Sequence, residues 1–532
     1  MTKPIVREEL LAELRQERVW DLAVIGGGAT GLGLALDAAA RGLTVVLLEA
    51  DDFAKGTSSR ATKLVHGGVR YLAQGNIGLV REALHERATL LHNAPHLVQP
   101  LPFVVPSYHW WETPYYAAGL LAYDALAGRR GLGATQILGK ERTLALLPGA
   151  RSEGLRGGVK YWDGQFDDAR LAVLLARSAR ARGALVVNHC GVDGLLREQG
   201  KVKGVRARDA ESGEVFKVRA RCVVNATGVW VDELRALDRD DGDPAVEPMV
   251  APSQGVHLVV DRDFMPGTHG LMVPKTADGR VLFAVPWMGK IVLGTTDTPA
   301  TRIEREPRPF AEEVDFILTE AGRYLARAPQ RADVRSVWVG LRPLVKPPAS
   351  QTGHTKSISR EHTVVVDASG MVTVTGGKWT TYRAMAEDVL AQAMDAGLLP
   401  RRPAGVTNDL PLLGAPATAP TQGLAAPPGA HLYGSESAVL MALPGADRWL
   451  WRDGEGGLSE AMVRFAARFE MARSVEDVLA RRSRLLFLDA AQAHALAAPV
   501  AALLQDELGP AFDAAASVAA FETLAKQYAS LP

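Results

Sequence analysis

The sequence predicts an α/β fold in which a parallel sheet is interrupted by an inserted antiparallel sheet and followed by a helical C-terminal region. Three observations support this. A strand, a glycine turn, a helix and a second strand follow one another over residues 20–50. Strand-like runs separated by turns fill residues 246–335, and residues 434–532 are rich in alanine and leucine. Another apolar strand with a glycine turn follows near residue 371, so we expect the parallel sheet to be discontinuous along the chain.

Composition excludes several classes of protein. The 532 residues are 47% hydrophobic and 23% charged, as in an ordinary globular protein of two or three domains. Lys plus Arg and Asp plus Glu are both 60, so the net charge of zero gives no reason to expect nucleic-acid binding. The two cysteines have no metal-ligand spacing and form no disulfide framework, which predicts no metal and a cytoplasmic location. No signal peptide and no transmembrane run is recognisable.

The first glycine turn predicts a dinucleotide site. The apolar strand Leu22–Ile25 leads to Gly26, Gly28 and Gly31, and a second strand ends at Glu49, 23 residues after Gly26. The glycines permit a tight turn, close approach of a pyrophosphate and close packing of helix on strand. The helix N-terminus favours phosphate, and an acid in the position of Glu49 accepts hydrogen bonds from a ribose diol. The unit therefore predicts FAD or NAD rather than NADP.

A second glycine turn selects between these two cofactors. Gly376 and Gly377 follow the strand 371–374 and precede a helix from about Thr381, and a small-residue turn occupies 225–228. A second helix N-terminus suits the pyrimidine side of a flavin, because its dipole stabilises negative charge on the reduced ring. A nicotinamide enzyme has no need of this second turn. We therefore predict FAD.

These patterns give predicted domain boundaries. We expect an N-terminal helical extension at 1–19, a discontinuous Rossmann-like FAD-binding domain from 20–100, 156–245 and 336–398, an antiparallel-sheet substrate-binding or cap domain from 101–155 and 246–335, a linker at 399–433, and a C-terminal α-helical domain at 434–532.

Six motifs carry a resemblance to a known family. They are TSSRATKLVHGGVRYL (57–72), NATGVWVDEL (225–234), VPWMGKIVLGTTDT (285–298), GLRPL (340–344), ISREHTV (358–364) and TGGKWTTYR (375–383). Together they are similar to the FAD-dependent, respiratory glycerol-3-phosphate dehydrogenases, whose fold is of the glycine/D-amino-acid oxidase type. The likeness covers about residues 20–395, and VEDVLARRSRLLFLDA (475–490) resembles the terminal domain of that family.

The resemblance implies the oxidation of glycerol 3-phosphate to dihydroxyacetone phosphate by hydride transfer to FAD, with electrons then passed to a membrane quinone. This chemistry needs a cationic pocket for the phosphate, a proton acceptor and a hydride acceptor. Arg342 and Arg360 suit the phosphate, because guanidinium groups bind it bidentately. His257, on an apolar strand, corresponds to the substrate-site histidine of the family and is a candidate base, although an arginine could also stabilise an alkoxide directly.

The predicted site is therefore a catalytic pair within a substrate pocket beside a long cofactor site. The catalytic candidates are His257 and Arg342; the substrate-binding candidates are Arg70, Tyr71, His257, Arg342, Arg360 and Lys378. The cofactor-binding candidates are Gly26, Gly28, Ala29, Thr30, Gly31, Glu49, Ala50, Thr57, Ser58, Ser59, Thr62, Lys63, His66, Gly67, Gly68, Val192, Ala226, Thr227, Gly228, Gly377, Lys378, Thr380 and Thr381.

Partners and competing functions follow from the same residues. Residues 108–130 place aromatic side chains before an apolar stretch and two arginines, which suits either peripheral contact with the cell membrane or a helix packed in the cap. The helices of the C-terminal region either pack on the body or support a homodimer. The alternatives are a glycerol-3-phosphate oxidase that reduces oxygen to peroxide, an amino-acid oxidase and a non-enzymatic FAD-bound scaffold. The retained arginines, Lys378 and His257 argue against the scaffold.

Overall fold

A computed structural model describes residues 3–72, 76–239, 247–277, 279–346, 362–418 and 420–532. Its first sheet is built around parallel strands in the order β18-β10-β1-β2-β7, with β17 added antiparallel at one edge and β8 and β9 joined to the first half of β10. The strands are β1 (Val19–Ile25), β2 (Val45–Leu48), β7 (Leu185–Val187), β8 (Cys190–Glu198), β9 (Lys201–Asp209), β10 (Val215–Asn225), β17 (His362–Val366) and β18 (Met371–Gly376).

The parallel strands are apolar and buried because helices cover them. The central helix α2 (Ala29–Ala40) is apolar around most of its circumference, and it lies between α7 (Asp168–Ala181) and α10 (Tyr382–Asp395). A Cβ atom at Gly33 would lie 2.4 Å from the ring of Tyr382, so this glycine lets α2 and α10 pack closely. The two ends of the discontinuous fold are thereby brought together.

A second sheet, almost entirely antiparallel, lies beside the first. Its order is β15-β11-β14-β13-β12-β4-β6-β3, with β16 paired to β11, β5 paired to β6, and a single parallel pairing between β12 and β4. The strands are β3 (Leu64–Val65), β4 (Val98–Ser107), β5 (Gln136–Gly139), β6 (Gly157–Phe166), β11 (Val250–Asp261), β12 (Gly270–Val273), β13 (Leu282–Trp287), β14 (Lys290–Gly294), β15 (Thr298–Pro299) and β16 (Ser336–Val345).

The remaining helices surround these sheets or form the C-terminal region. Those before residue 400 are α1 (Arg7–Leu14), α3 (Val69–Leu72), α4 (Ile77–Asn93), α5 (Glu112–Ala127), α6 (Lys140–Leu146), α8 (Val231–Ala236) and α9 (Ala311–Tyr324). The C-terminal region contains α11 (Ser437–Met441), α12 (Glu460–Phe469), α13 (Leu485–Leu488), α14 (Ala490–Ala495), α15 (Ala497–Leu508) and α16 (Ala514–Ala529). Its buried residues continue the main hydrophobic core, so this region is packed on the body.

The structure differs from the sequence-based description in three places. β16 belongs to the second sheet, although we predicted residues 336–398 as FAD-binding domain, because its whole length pairs with β11. Strand β4 crosses the predicted boundary at 100, and β6, which lies wholly within the predicted FAD-binding segment 156–245, likewise belongs to the second sheet. The C-terminal region is not helical throughout, since β19 (Trp449–Asp453) and β20 (Gly456–Ser459) form a hairpin. Local composition could not reveal pairings that depend on distant strands.

Candidate active site

The predicted glycine turn lies where β1 ends and α2 begins. Gly26 has φ 109°, and a Cβ atom at Gly31 would lie 1.9 Å from the carbonyl oxygen of Gly26. A Cβ at Gly26 would lie 2.7 Å from the carbonyl oxygen of Ala226, at the end of β10. These contacts leave room only for glycine, and they bring three backbone segments together beside the N-terminus of α2. The N-terminus of a helix favours anionic groups such as a pyrophosphate.

The acid at the end of β2 is held by backbone amides. Glu49 accepts hydrogen bonds from the amides of Gly27 (2.5 Å) and Asp51 (2.8 Å), and its side chain lines the cavity. Burial raises the pKa of Glu49, while the two amides act in the opposite direction. The carboxylate is therefore fixed in place beside the glycine turn, where a ribose diol would lie.

The second glycine turn stands at the carboxyl end of β18. Gly376 and Gly377 have φ of 83° and 74°, a left-handed conformation that favours glycine. The following residues Lys378 and Thr380 line the same cavity as the first turn. Trp379 donates from its indole nitrogen to the carbonyl of Ser58 (2.8 Å), which ties this turn to the loop that follows β2.

One cavity of about 740 Å³ connects these elements at the carboxyl ends of the parallel strands, where α/β sheets bind ligands. Many of the predicted residues line it. They are Gly26, Gly28, Ala29, Thr30, Glu49, Ala50, Thr57, Ser58, Thr62, His66, Gly68, Val192, Ala226, Thr227, Gly228, His257, Arg342, Gly377, Lys378 and Thr380.

Other predicted residues stand behind the cavity wall or outside the described part. Gly31, Ser59, Lys63, Gly67 and Thr381 are not in contact with the cavity. Arg360 lies outside the described residues. Arg70 and Tyr71 belong to the short helix α3, and their side chains also lie outside what the structure describes.

His257 lies on β11, at the junction between the two sheets. Its Nε2 is 2.9 Å from the hydroxyl of Thr62, and its ring stacks on Trp338 with 5.3 Å between centroids. Among the described residues Nδ1 has no hydrogen-bond partner, and the side chain is 2% exposed. Burial, followed by the positive charges of Lys63 and Arg342, lowers the pKa of His257 well below its usual value. The imidazole is therefore neutral and can accept a proton.

Arg342 lies on the neighbouring strand β16 and crosses Gly255. A Cβ atom at Gly255 would lie 2.3 Å from Nη2 of Arg342, so a larger residue there would displace the guanidinium from this position. Arg342 donates to the carbonyl of Thr296 (3.0 Å) and the hydroxyl of Thr295 (3.3 Å), and it is 3.4 Å from the carboxylate of Asp297. These contacts are long for charge-assisted hydrogen bonds. The arrangement orients a cation toward the cavity.

The sequence did not reveal Gly255 or Trp338, although a signal for them exists. In a strand every second residue shares a face. His257 therefore shares its face with Gly255, and Arg342 shares its face with Trp338. Reading the two strands with a period of two would have found both residues. Asp297 and Thr295 follow β14, and the pairing of distant strands places them at the site.

Comparisons with known proteins agree with this geometry. A family model described as FAD dependent oxidoreductase matches residues 21–383, and one described as the C-terminal domain of alpha-glycerophosphate oxidase matches residues 405–513. Mitochondrial glycerol-3-phosphate dehydrogenase of Bos taurus is 41% identical over 95% of this chain and 73% of its own length. The Schizosaccharomyces pombe protein of that name is 37% identical over 96% of this chain and 87% of its own length.

Solved structures give the same result. Glycerol-3-phosphate dehydrogenase from Bacillus halodurans, complexed with FAD, covers 98% of both chains with a TM-score of 0.76 and 30% identity. L-alpha-glycerophosphate oxidase from Mycoplasma pneumoniae, at 17% identity and a TM-score of 0.55, covers 74% of this chain and 99% of its own length and shares the fold. The chain belongs to the FAD-dependent glycerol-3-phosphate dehydrogenases, and FAD is its cofactor.

Proposed function

We propose that this member of the family oxidises sn-glycerol 3-phosphate to dihydroxyacetone phosphate by hydride transfer to FAD and passes the electrons to a membrane quinone. The observation that carries the proposal is the placement of Arg342 and His257 on adjacent strands at one end of the cofactor cavity. A cation and a neutral base side by side suit a substrate that has a phosphate and a hydroxyl group. FAD, when bound, supplies the hydride acceptor.

The cofactor-binding residues divide into three groups. The backbone at Gly28, Ala29 and Thr30 would hold the pyrophosphate, with the amide of Ala29 already donating to Ser58 (3.0 Å) and Gly31 allowing the helix to approach. Glu49, Ala50 and Val192 would hold the adenosine half. The flavin would be held by the loop that carries Thr57, Ser58, Ser59, Thr62, Lys63, His66, Gly67 and Gly68 and by the turns that carry Ala226, Thr227, Gly228, Gly377, Lys378, Thr380 and Thr381. Gly26 makes the first turn possible. The shared cavity supports the assignments of the residues that line it, and Gly31, Ser59, Lys63, Gly67 and Thr381 would act from behind its wall.

Arg342 is the substrate-orienting cation in this proposal. Its planar guanidinium offers paired N–H donors to phosphate oxygens or to the hydroxyl oxygen on the carbon from which hydride leaves. Lys378 adds a positive charge from the second glycine turn. Arg70, Tyr71 and Arg360 complete the phosphate pocket on the strength of the family resemblance.

His257 is the proton acceptor. Its lowered pKa keeps the ring neutral, so a ring nitrogen is available for the hydroxyl proton as the C–H bond breaks, and the same shift makes the ring a weaker base than an ordinary histidine. The hydroxyl of Thr62 and the ring of Trp338 fix the orientation of the imidazole. The same positive charges that lower the pKa of His257 also stabilise a developing alkoxide.

Helix α5 supports the peripheral membrane contact. Trp110 and Tyr115 are 77% and 67% exposed, Trp111 and Leu121 are also exposed, and Arg129–Arg130 follow the C-terminal end of the helix. The opposite face of α5 is buried against the body. Aromatic rings flanked by arginines suit a lipid–water interface. Within the described residues no helix is long and apolar enough to cross a bilayer. The cytoplasmic location and the homodimer stay predictions.

The reaction is tested by adding sn-glycerol 3-phosphate to the holoenzyme without oxygen. We expect the flavin absorbance to bleach and to recover with a soluble quinone analogue. Absence of bleaching would contradict the proposed substrate. Recovery by oxygen as fast as by the quinone analogue, with stoichiometric peroxide, would establish the oxidase alternative instead.

The membrane contact is tested by flotation with liposomes that contain anionic lipids. We expect the wild type to float and the double variant Trp110→Ala/Trp111→Ala to remain at the bottom. Phe310→Ala removes an aromatic side chain that is 49% exposed elsewhere and serves as the matched control. Equal flotation of the double variant and the wild type would rule out this surface.

A further inference from the structure

The loop 57–63 has a cavity side and a hidden side. On the cavity side, the hydroxyl of Ser58 accepts a hydrogen bond from the amide of Ala29 at the start of α2 (3.0 Å), and Thr62 contacts His257. On the hidden side, Ser59 is 1% exposed and Lys63 is fully buried. The position of the loop therefore sets both the pyrophosphate cradle and the orientation of the proposed base.

Two buried cations converge on the hidden side of this loop. Nζ of Lys63 donates to the carbonyl of Ser59 (2.8 Å) and to Asp168 (2.7 Å). Arg484, from the C-terminal region, donates to the same carbonyl (2.8 Å) and to the other oxygen of Asp168 (3.0 Å). Asp168 also accepts from the amide of Ala61 (3.0 Å). One carbonyl and one carboxylate thus join the loop, α7 and the C-terminal region.

Both cations are held in an unusual backbone conformation. Lys63 has φ 65° and Arg484 has φ 66°, which are uncommon and unfavourable for residues other than glycine. Arg484 follows a π-helical stretch, Asp477–Arg482, a feature often found at functional sites. Such conformations persist where the surrounding contacts require them.

An aromatic group surrounds the two cations and reaches His257. The guanidinium of Arg484 lies 4.2 Å from the ring centroid of Phe487, and Nζ of Lys63 lies 5.2 Å from the ring of Trp338. Trp338 is the ring on which His257 stacks. Burial lowers the pKa of Lys63 to about 7, while the Asp168 carboxylate opposes this and the charge of Arg484 adds to it.

We infer that Arg484 is a positioning residue for catalysis, through which the C-terminal region holds loop 57–63 against the flavin and holds Thr62 against His257. The C-terminal region is then part of the active-site support. The inference rests on the proposed role of His257 for its effect on turnover, but its effect on FAD does not depend on the identity of the substrate.

The alternative is that Arg484 only fastens one domain to another. Arg177 offers a matched control, because it lies on the same helix α7 and makes a bidentate pair with Glu436 of the C-terminal region (both 2.7 Å). It is buried and lies 5.4 Å from the ring of Phe465, much as Arg484 lies beside an aromatic ring. Nine residues along α7, or about 13 Å, separate it from Asp168.

The experiment compares Arg484→Met, Arg484→Lys and Arg177→Met as purified holoenzymes. The measurements are melting temperature, release of FAD on dilution followed by flavin fluorescence, the flavin midpoint potential, and kcat and KM for glycerol 3-phosphate. We expect Arg177→Met to lower only the melting temperature. We expect Arg484→Met to speed FAD release about tenfold or more and to lower kcat more than it raises KM, with partial recovery in Arg484→Lys.

Equal FAD release, potential and kcat in Arg484→Met and Arg177→Met would overturn the inference. If Arg484→Met does not fold, the same comparison is made between Arg484→Lys and Arg177→Lys. A double-mutant cycle with Arg484→Met and Thr62→Val adds a second criterion. If Arg484 acts through Thr62, the losses in kcat of the two single variants do not add in the double variant. Additive losses would contradict an action through Thr62. Arg484→Met could release FAD faster while glycerol 3-phosphate fails to bleach the flavin of the wild-type enzyme. That result would support this inference and reject the proposed substrate.

Discussion

Buried charge is arranged differently in the cavity and at the interface between the body and the C-terminal region. At the interface, guanidinium groups meet carboxylates at short distances: Arg177 binds Glu436 at 2.7 Å and Arg170 binds Glu470 at 2.8 Å. In the cavity, Arg342 reaches Asp297 only at 3.4 Å. The guanidinium groups of the first set are buried against their carboxylates, whereas Arg342 is partly exposed and lines the cavity.

The two arrangements imply different roles for the charged side chains of the interface and of the cavity. Removing one partner of a short, buried ion pair strongly destabilises the fold, because the other charge remains buried without a partner. Arg342 lines the cavity and is the proposed substrate-orienting residue, so its loss should affect binding and turnover more than folding. Substitutions in the two regions should therefore separate stability from activity.

The largest effect is expected in the cavity, from Arg342→Met. We expect kcat/KM for glycerol 3-phosphate to fall about 10³-fold, because the variant loses the charge that orients the substrate, with little change in melting temperature. Arg335→Met is the control, since Arg335 precedes the same strand but pairs with Asp261 at the surface. A decrease in kcat/KM smaller than tenfold, or a large decrease in melting temperature, would contradict the proposed difference between the cavity and the interface.

At the interface, Arg177→Met should show the opposite behaviour. Loss of the bidentate partner of Glu436 should cost about 3 kcal/mol of stability, seen as a lower melting temperature, with kcat/KM per bound flavin unchanged. Arg177→Met/Glu436→Leu should recover part of the loss, because both charges are then removed. If the double variant were no more stable than the single one, the buried pair would not explain the effect.

His257→Gln tests the neutral side chain of the cavity. We expect kcat/KM to decrease about 10²-fold, since the amide cannot act as a base. Because the pKa of His257 lies well below its usual value, the wild-type ring stays neutral as the pH falls through 6.5, and its basic form is lost only at lower pH. A loss of wild-type kcat/KM centred at pH 6.5 and absent in the variant would contradict this assignment.

The smallest effect is expected from a titratable pair at the interface. His189 binds Asp477 (2.9 Å); burial alone would lower the pKa of His189, but the carboxylate outweighs it and the pKa is raised. A histidine whose pKa is raised by folding stabilises the folded state fully at pH values below its pKa in the unfolded chain, about 6.5. This contribution disappears as the pH rises through the pKa that the histidine has in the folded protein. His189→Gln should therefore cost on the order of 1 kcal/mol at pH 6 and less at pH 9, as melting temperatures at the two pH values would show. An equal loss of stability at pH 6 and pH 9 would contradict a raised pKa of His189.

The sequence predicted the cofactor site better than the interface. Gly26, Gly28, Gly31 and Glu49 act through local backbone geometry, and a short stretch of chain contains all the necessary information. Trp338 and Gly255 could also have been found from strand periodicity. No local pattern indicated that Arg484 reaches the carbonyl of Ser59, which precedes it by 425 residues.

The domain description shows the same limit. The glycine turn after β18 was recognisable because, like the first turn, it follows an apolar strand and precedes a helix. The pairing of β16 with β11 was not recognisable, since apolar strands of similar composition can join either sheet and the neighbouring strands decide between them.

By itself the sequence determined the parallel core, the two glycine turns, FAD and the family, because these depend on residue type at fixed short spacing. The tertiary structure alone decided which arginines line the cavity and which are buried against carboxylates, since an arginine has the same charge everywhere until folding fixes its surroundings. It also decided that the C-terminal region contacts the loop at the cofactor site. That contact depends on long-range packing, which no spacing along the chain encodes.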